Sequence, residues 1–276
     1  MKVTKVAFQG ERGAYGEIAA LQYFPNARLV ALRSFQDVFA AAEKGDADCA
    51  IVPVENSIEG SVNEIYDLLL ETKMNAIGEV YQRVKHCLIA NKNADKIRFA
   101  YSHPQALAQC RGYLQRLNIE AMPVYDTAGA VKMIKEKEMI DAAAIASRRA
   151  AELYNMQIVE EGIEDRRNNY TRFLILSLQK TKTETEDNAK YKTSIIFSVK
   201  HVPGALFEIL GEFASRKINL TKIESRPTKE TPWEYNFYVD IEGNFLDTVV
   251  LNALESIKSK SSYIKILGSY KKAEFH

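Results

Sequence analysis

The chain has 276 residues, 46% hydrophobic and 26% charged, with a formal net charge of +1. That is length for one large or two ordinary domains with sizeable cores, and the near-neutral balance excludes the basic footprint of a nucleic-acid or membrane-surface binder. Cys49, Cys87 and Cys110 are odd in number, widely spaced and outside any CxxC or Cys/His cluster, so buried free thiols in a reducing cytoplasm are expected, with no disulfide and no metal.

The N-terminal "MKVTKVAFQG" runs straight into a strand, with no apolar signal region, and no transmembrane run follows; a cytoplasmic protein is expected. Strand "KVAFQG" leads to a helical pattern over 17–24. "RLVAL" is followed by the helix "QDVFAAAEKG" with its glycine stop, and "CAIVPV" by "VNEIYDLLLET". Over 77–90 the rhythm changes to extended chain without a helix, "AIGEVYQRVKHCLIA". Then come "IRFAYS" with helix "QALAQCRGYLQRL", "AMPVYD" with "AVKMIKEKE", and "AAAIAS" with "RRAAELY". An irregular passage, "QIVEEGIEDRRNNY", precedes the strand "RFLILSL". Strand–helix alternation predicts an α/β sheet, mostly parallel, with helices on both faces. Crossings near 77–90 and 157–170 would suit a two-lobed domain with a cleft.

"QKTKTETEDNAK", 179–190, reads as a linker between a domain over 1–180 and another over 191–276. The second reads β-α-β-β-α-β: "TSIIFSV", "GALFEILGEFASRK", "LTKIESR", "WEYNFYVDIEG", "LDTVVLNALESIKS" and "IKILGSY". Leu206, Ile209, Leu210 and Phe213 recur at helical spacing. This order is the ferredoxin-like split βαβ arrangement.

Ligands of open α/β sheets bind beyond the carboxyl ends of the strands. Here those ends carry "GERGAYGE", "ENSIEGS", "SHPQ" and "DTAGA". Gly10, Gly13 and Gly16 lack the Lys-Ser/Thr of a phosphate loop; they make either a tight turn or backbone donors for a carboxylate, with Ala14 and Tyr15 beside them. Glu55, Asn56 and Ser57 follow a buried strand, and helix capping by Ser61 or Asn63 would not require them. Ser102, His103 and Gln105 stand at a helix entrance, where a histidine caps or packs as often as it reacts. Thr127 opens another helix. In "NNYTRF" the fork of Arg172 suits a carboxylate, Thr171 offers a hydroxyl donor and Asn169 an amide; a polar strand edge is the plainer reading. In the C-terminal part, Gly204 at a helix start and Glu224, Ser225, Arg226 and Pro227 at a strand end could hold a zwitterion, or form a surface turn with a salt pair.

Together "VPVENSIEGSV", "SHPQALAQC" and "IEDRRNNYTRFLIL" resemble the prephenate dehydratase family, and "GALFEIL" with "INLTKIESRP" resemble its C-terminal ACT regulatory domain. The resemblance covers essentially the whole chain. It implies a two-lobed, type-2 periplasmic-binding-like catalytic domain that converts prephenate to phenylpyruvate with loss of water and CO2, without a cofactor. It also implies a homo-oligomer, dimer or tetramer, with L-phenylalanine as allosteric effector. With the first strand at about Val3, the chorismate mutase domain of some relatives is not expected. On this reading Thr171 donates to the departing hydroxyl, and Asn56 and Gln105 hold the departing group or the side-chain carbonyl. Arg172 meets the pyruvyl carboxylate or braces the site, and Phe173 walls the ring. Glu55, Ser57, Ser102, His103, Thr127, Asn169, Gly13, Ala14 and Tyr15 complete the substrate site. Phenylalanine is expected around Gly204, Ala205 and Leu206, Asn219 and Leu220, and Glu224–Pro227. The first turn departs from the family's pattern: Ala14 and Gly16 stand where hydroxyl residues are common. Arogenate dehydratase and a non-enzymatic amino-acid sensor are the alternatives; a secreted solute-binding protein would need a signal segment.

Overall fold

The computed structural model describes residues 3–179, 190–228, 231 and 233–274. The expected linker, apart from its two end residues, lies outside the described residues.

The chain opens with β1 (Lys5–Gln9), α1 (Tyr15–Tyr23), β2 (Arg28–Leu32), α2 (Phe35–Lys44) and β3 (Cys49–Asn56). β1 runs parallel to both β2 and β3. α2 starts on a capping box, Ser34 with Asp37, and ends at Gly45, whose φ of +82° is the left-handed cap that glycine permits. β3 is apolar up to Val54 and turns polar at Glu55, so its carboxyl end delivers the polar residues. On the β1 side the missing N–H of Pro53 costs no ladder bond, because β1 pairs with β3 only at Cys49 and Ala50. Then follow the two-residue β4 (Gly60–Ser61), α3 (Asn63–Glu71) and β5 (Asn75–Arg83).

The run 76–90 is two strands in different sheets, β5 and β6 (Cys87–Ala90). After β6 come β7 (Phe99–Ser102), α4 (Pro104–Gln109), α5 (Arg111–Arg116), β8 (Glu120–Pro123), α6 (Thr127–Glu136), β9 (Ala142–Ala146), α7 (Arg148–Leu153), β10 (Gln157–Glu161) and β11 (Tyr170–Ser177). The first sheet has the order β2-β1-β3-β11-β5 with β4 on β3, and the second β10-β6-β9-β7-β8. The expectation of a mostly parallel sheet holds for β1 with its neighbours β2 and β3, whereas the second sheet is mixed. β7 is parallel to β8 and β9, but β6 is antiparallel to β9, and β10 to β6. β10 forms inside the passage read as irregular; its Gln157-Ile-Val-Glu-Glu161 has only two large apolar residues and a bulge. The single helix expected after β7 is broken at Cys110, which caps both α4 and α5 and packs its thiol in the core with Leu107, Tyr113, Leu114 and Ile145. The five residues of β9 are wholly buried; four of them are alanine, a weak strand former chosen here by packing rather than propensity.

The C-terminal part comprises β12 (Tyr191–Ser198), α8 (Ala205–Ser215), β13 (Leu220–Pro227), β14 (Tyr235–Glu242), α9 (Thr248–Lys260) and β15 (Tyr263–Lys271). Its sheet, β13-β14-β12-β15, is antiparallel at every pairing, as the βαββαβ reading requires. Ile195, Phe197, Ile209, Phe213, Val239 and Ile257 centre its core.

By its contacts the chain forms two compact units, Lys2–Gly60 with Tyr81–Phe173, and Ser61–Val80 with Leu174–His276. In the second, Lys192 and Glu79, both buried, pair at 3.0 Å.

Candidate active site

The end of β3 and the start of β11 are stitched together by Ser57. Its N–H donates to Tyr170 O at 2.8 Å. Its hydroxyl donates to Asn168 O at 3.1 Å and accepts the Tyr170 N–H at 2.9 Å. Ser57 thus spends its hydroxyl on the backbone, and that brings Asn56 beside Thr171.

Asn56 is buried, and its Oδ1 accepts the N–H groups of Ile58 and Glu59, each at 3.0 Å. Two backbone donors fix which end of the amide is oxygen. Nδ2 therefore faces the other way, donating to Asn169 Oδ1 at 2.7 Å and Thr171 Oγ1 at 3.0 Å. Asn169, fully buried, turns its own Nδ2 to Gln109 Oε1 at 3.0 Å. The same oxygen meets His86 Nε2 at 2.9 Å, so that nitrogen carries the proton. Gln109 Nε2 donates to Glu59 Oε1 at 3.3 Å. One direction of donation follows throughout. Thr171 Oγ1 is an acceptor within it, so its own hydrogen is not spent on Asn56.

His86 is held by its backbone N–H to Glu164 Oε2 at 2.9 Å and by the edge of Tyr15, 5.8 Å between ring centroids at 81°. Burial lowers its pKa, so the ring is neutral at neutral pH. Tyr15 donates to Lys85 O at 2.7 Å, and burial raises its pKa well above the usual phenol value. A cavity of about 150 Å³ opens beside the chain of amides, lined by Ile58, Glu59, Ala108, Gln109, Asn169 and Glu164–Arg166.

Several expected contacts fall elsewhere. Alternation along β11 puts Arg172 on the face opposite Thr171, and Arg172 is buried; Glu55 is likewise opposite Asn56 on β3. Phe173 is buried on the Thr171 side. Ser102 Oγ is committed to Ile145 O at 2.6 Å inside the second sheet. His103 caps α4 through its side chain and is exposed, as is Gln105. The amide that joins the network is Gln109, four residues on and on the same helix face. Thr127 is half-buried at the first turn of α6, behind Asp126, whose carboxylate accepts the Gly129 N–H at 2.5 Å and whose pKa burial raises.

The glycine turn does not present the expected donors. Gly10 N–H goes to Leu32 O at 2.8 Å and Ala14 N–H to Glu11 O at 3.1 Å. Gly13 N–H goes to the buried carboxylate of Glu17, which also pairs with Arg149 at 2.9 Å. Gly13 O accepts the Ser147 hydroxyl at 2.5 Å. Gly13 has φ +92°, and a Cβ there would lie 2.7 Å from Ala150 Cα. The turn seats α1 on α7.

Among the described residues, no group of three or more His, Cys, Asp or Glu is placed to hold a metal. Burial pushes the Cys87 thiol up to about 11 and the Cys110 thiol further up, so neither is a ready thiolate. His86, Gln109, Glu59 and Arg166 are the site residues that sequence reading passed over. Gln109 was within reach as the i+4 partner of Gln105; His86 lies in the short connection between β5 and β6 and carries no such mark.

The family model described as prephenate dehydratase matches residues 6–181. The chain belongs to the prephenate dehydratase family. The ACT domain model matches residues 193–259. A chloroplastic arogenate dehydratase/prephenate dehydratase 2 of Arabidopsis thaliana is 44% identical over 96% of this chain and 72% of its own length. A solved prephenate dehydratase of Arthrobacter aurescens, in complex with L-Phe, superposes with a TM-score of 0.89, at 30% identity over 98% of this chain and 90% of that one. A structure described as a novel type of quorum quenching acylase superposes with a TM-score of 0.90, at 34% identity over 98% of both chains. The prephenate dehydratase fold, periplasmic-binding-like lobes followed by an ACT domain, is the architecture of this chain, and its reaction class is that of a dehydratase, a lyase.

In the ACT domain the expected effector residues divide. Gly204 caps α8 at φ +86°. Ala205 and Leu206 line a cavity of about 340 Å³ with Val202, Trp233, Tyr235 and Phe237. Asn219 Nδ2 donates to Glu242 Oε2 at 3.2 Å, and Leu220 packs on the core. Glu224 and Arg226 share one face of β13, where Glu224 accepts the Ser61 hydroxyl and Arg226 lies 3.4 Å from Asp67. Their charges are thus engaged with Ser61, just before α3, and with Asp67 within it. Ser225 and Pro227 point from the other, exposed face.

Proposed function

We propose that this enzyme is a prephenate dehydratase in which Thr171 donates to the departing ring hydroxyl. In this step the bond from the ring carbon to its carboxylate breaks and its electron pair enters the ring. The opposite C–O bond breaks, CO2 leaves, and the hydroxyl departs as water with a proton drawn from solvent. Aromatisation drives it. A threonine hydroxyl is too weak an acid to transfer its proton outright at neutral pH; it stabilises the oxygen as negative charge develops. The observation that carries the proposal is the fixed direction of donation, Asn56 to Thr171, which leaves the threonine hydrogen available for a substrate oxygen.

Gln109 and Asn169 hold the substrate's polar groups at the cavity, the role first expected of Gln105. Arg166 is the cation for a substrate carboxylate. Arg172, buried on the far face of β11, braces the strand. Glu55, Ser57, Ser102, His103, Thr127, Gly13, Ala14 and Tyr15 shape the site rather than touch the substrate, and Phe173 backs Thr171. Phenylalanine acts at the ACT domain, over the Gly204–Leu206 cavity, as feedback inhibitor. It changes activity by binding one state of the assembly better than the other. The enzyme is a homo-oligomer, a dimer or a tetramer; the exposed Phe207 and Trp233, 78% and 75% accessible, support a partner at that face. Among the described residues no helix is long and apolar enough to cross a membrane, and we place the enzyme in the cytoplasm. The catalytic domain spans 1–180 and the ACT domain 191–276.

Arogenate is the second reading, favoured by the double names of the relatives and by Glu59 and Asp165 at the cavity, which suit an ammonium group. Acylase chemistry is disfavoured: a nucleophilic threonine needs a neighbour that accepts its proton, and Asn56 instead donates to Thr171. Side-by-side kcat/KM on prephenate and arogenate tests the proposal. Higher kcat/KM on prephenate supports it; turnover of arogenate alone moves the assignment there, and turnover of neither removes it.

A further inference from the structure

We propose that His86 is a positioning residue for the dehydration: its Nε2–H locks Gln109, and through Asn169 and Asn56 it holds the direction of the Thr171 hydroxyl. This rests on the reading of Thr171 above.

The amide chain has two ends, and each is pinned by a different device. At one end two backbone N–H groups hold Asn56 Oδ1. At the other, Gln109 Oε1 takes one hydrogen from Asn169 and a second from His86, at 3.0 and 2.9 Å. Both lone pairs of that oxygen are filled, which is what keeps the Gln109 amide from turning over. A turned Gln109 would set its NH2 against the NH2 of Asn169. Asn169 could relieve that only by turning its own NH2 on Asn56, and Asn56 only by giving up two backbone hydrogen bonds. The defect would therefore stay in the network, next to Thr171. The protein also invests in the residue's placement: the His86 backbone N–H is held by buried Glu164, and Tyr15 packs edge-on against the ring with its hydroxyl 3.4 Å from Nδ1. Tyr15 donates its own hydrogen to Lys85 O, so its oxygen could only accept from Nδ1; that contact, at 3.4 Å, is the longer one, and the single ring proton goes to Nε2, whose acceptor Gln109 Oε1 is at 2.9 Å.

The test is a pair of amides. In His86→Gln the side-chain NH2 reaches the place of Nε2 and restores the donor. In His86→Asn it falls short, at the place of Nδ1. His86→Asn is expected to lower kcat by about 10- to 100-fold with KM within about 3-fold, and His86→Gln to recover most of the loss although both variants lose packing against Tyr15. Equal kcat in wild type and both variants would overturn the proposal, as would equal losses in both that follow their melting temperatures. Should His86→Asn not fold, the ¹⁵N imidazole spectrum of the wild type decides: an Nε2–H tautomer at neutral pH supports the proposal, and an Nδ1–H tautomer or an imidazolium refutes it. If the wild type turns over neither prephenate nor arogenate, the functional reading has failed on its own, and the tautomer still reports on His86.

Discussion

Replacing Thr171 by valine keeps the β-branched shape that suits a strand and removes only the hydroxyl. Asn56 Nδ2 then loses its 3.0 Å acceptor but keeps Asn169 Oδ1 at 2.7 Å. The folded state should lose about 1 kcal/mol, since the orphaned N–H is one of two on a half-satisfied amide. The transition state should lose far more. A preorganised donor aimed at developing charge is worth about 10²–10³ in kcat, which at about 1.4 kcal/mol per decade is about 2.7–4 kcal/mol. The donor acts on the departing oxygen, so kcat and kcat/KM should fall together with KM nearly unchanged. Thr171→Ser keeps the hydroxyl and should stay within about 10-fold of wild type. The assay is phenylpyruvate formation at saturating prephenate, with urea unfolding as the control for stability. A valine variant within about 3-fold of wild-type kcat would refute the reasoning, because the direction of donation in the network would then have no bearing on the reaction.

Asn56→Asp keeps an acceptor for Ile58 and Glu59 but sets its second oxygen against Asn169 Oδ1 and captures the Thr171 hydrogen, so kcat should fall by about 10² or more; unchanged turnover would contradict the assigned orientation. Gly13→Ala puts a methyl 2.7 Å from Ala150 Cα at φ +92° and should cost about 1–3 kcal/mol by overpacking, read as a lowered urea midpoint. His86 titrates near pH 6.5 when unfolded, and burial depresses its folded value. The unfolded state then binds more protons, so stability conferred above about pH 6.5 is lost as pH falls through the folded value. The acid limb of stability against pH should flatten in His86→Gln.

What sequence could carry, and what it could not, divides by physical cause. β2 lies on "RLVAL" and α2 within "QDVFAAAEKG" and the residue before it, because alternating or helical apolar spacing and a glycine stop are local signals. The βαββαβ order of the ACT domain was equally legible. The direction of β6 and β10 was not, since an apolar or half-polar run says nothing about which neighbour it pairs with. At the site, Asn56, Asn169 and Thr171 were singled out, each at a strand end. Gln105 was preferred to Gln109 because a polar residue at a helix entrance is more conspicuous than one a turn later. Arg172 looked like an anion hook from its chemistry alone; strand alternation from Thr171 turns it away. The glycine turn looked like a ligand loop until its N–H groups were traced to Leu32, Glu11 and Glu17.

The most direct measurement of the central claim is product stoichiometry on prephenate labelled in its ring carboxylate. Elimination of hydroxyl and carboxylate in one turnover predicts one labelled CO2 for each phenylpyruvate, both rates dropping in parallel as L-phenylalanine is added. Phenylpyruvate and CO2 appearing in unequal amounts, or no consumption of prephenate at all, would contradict it.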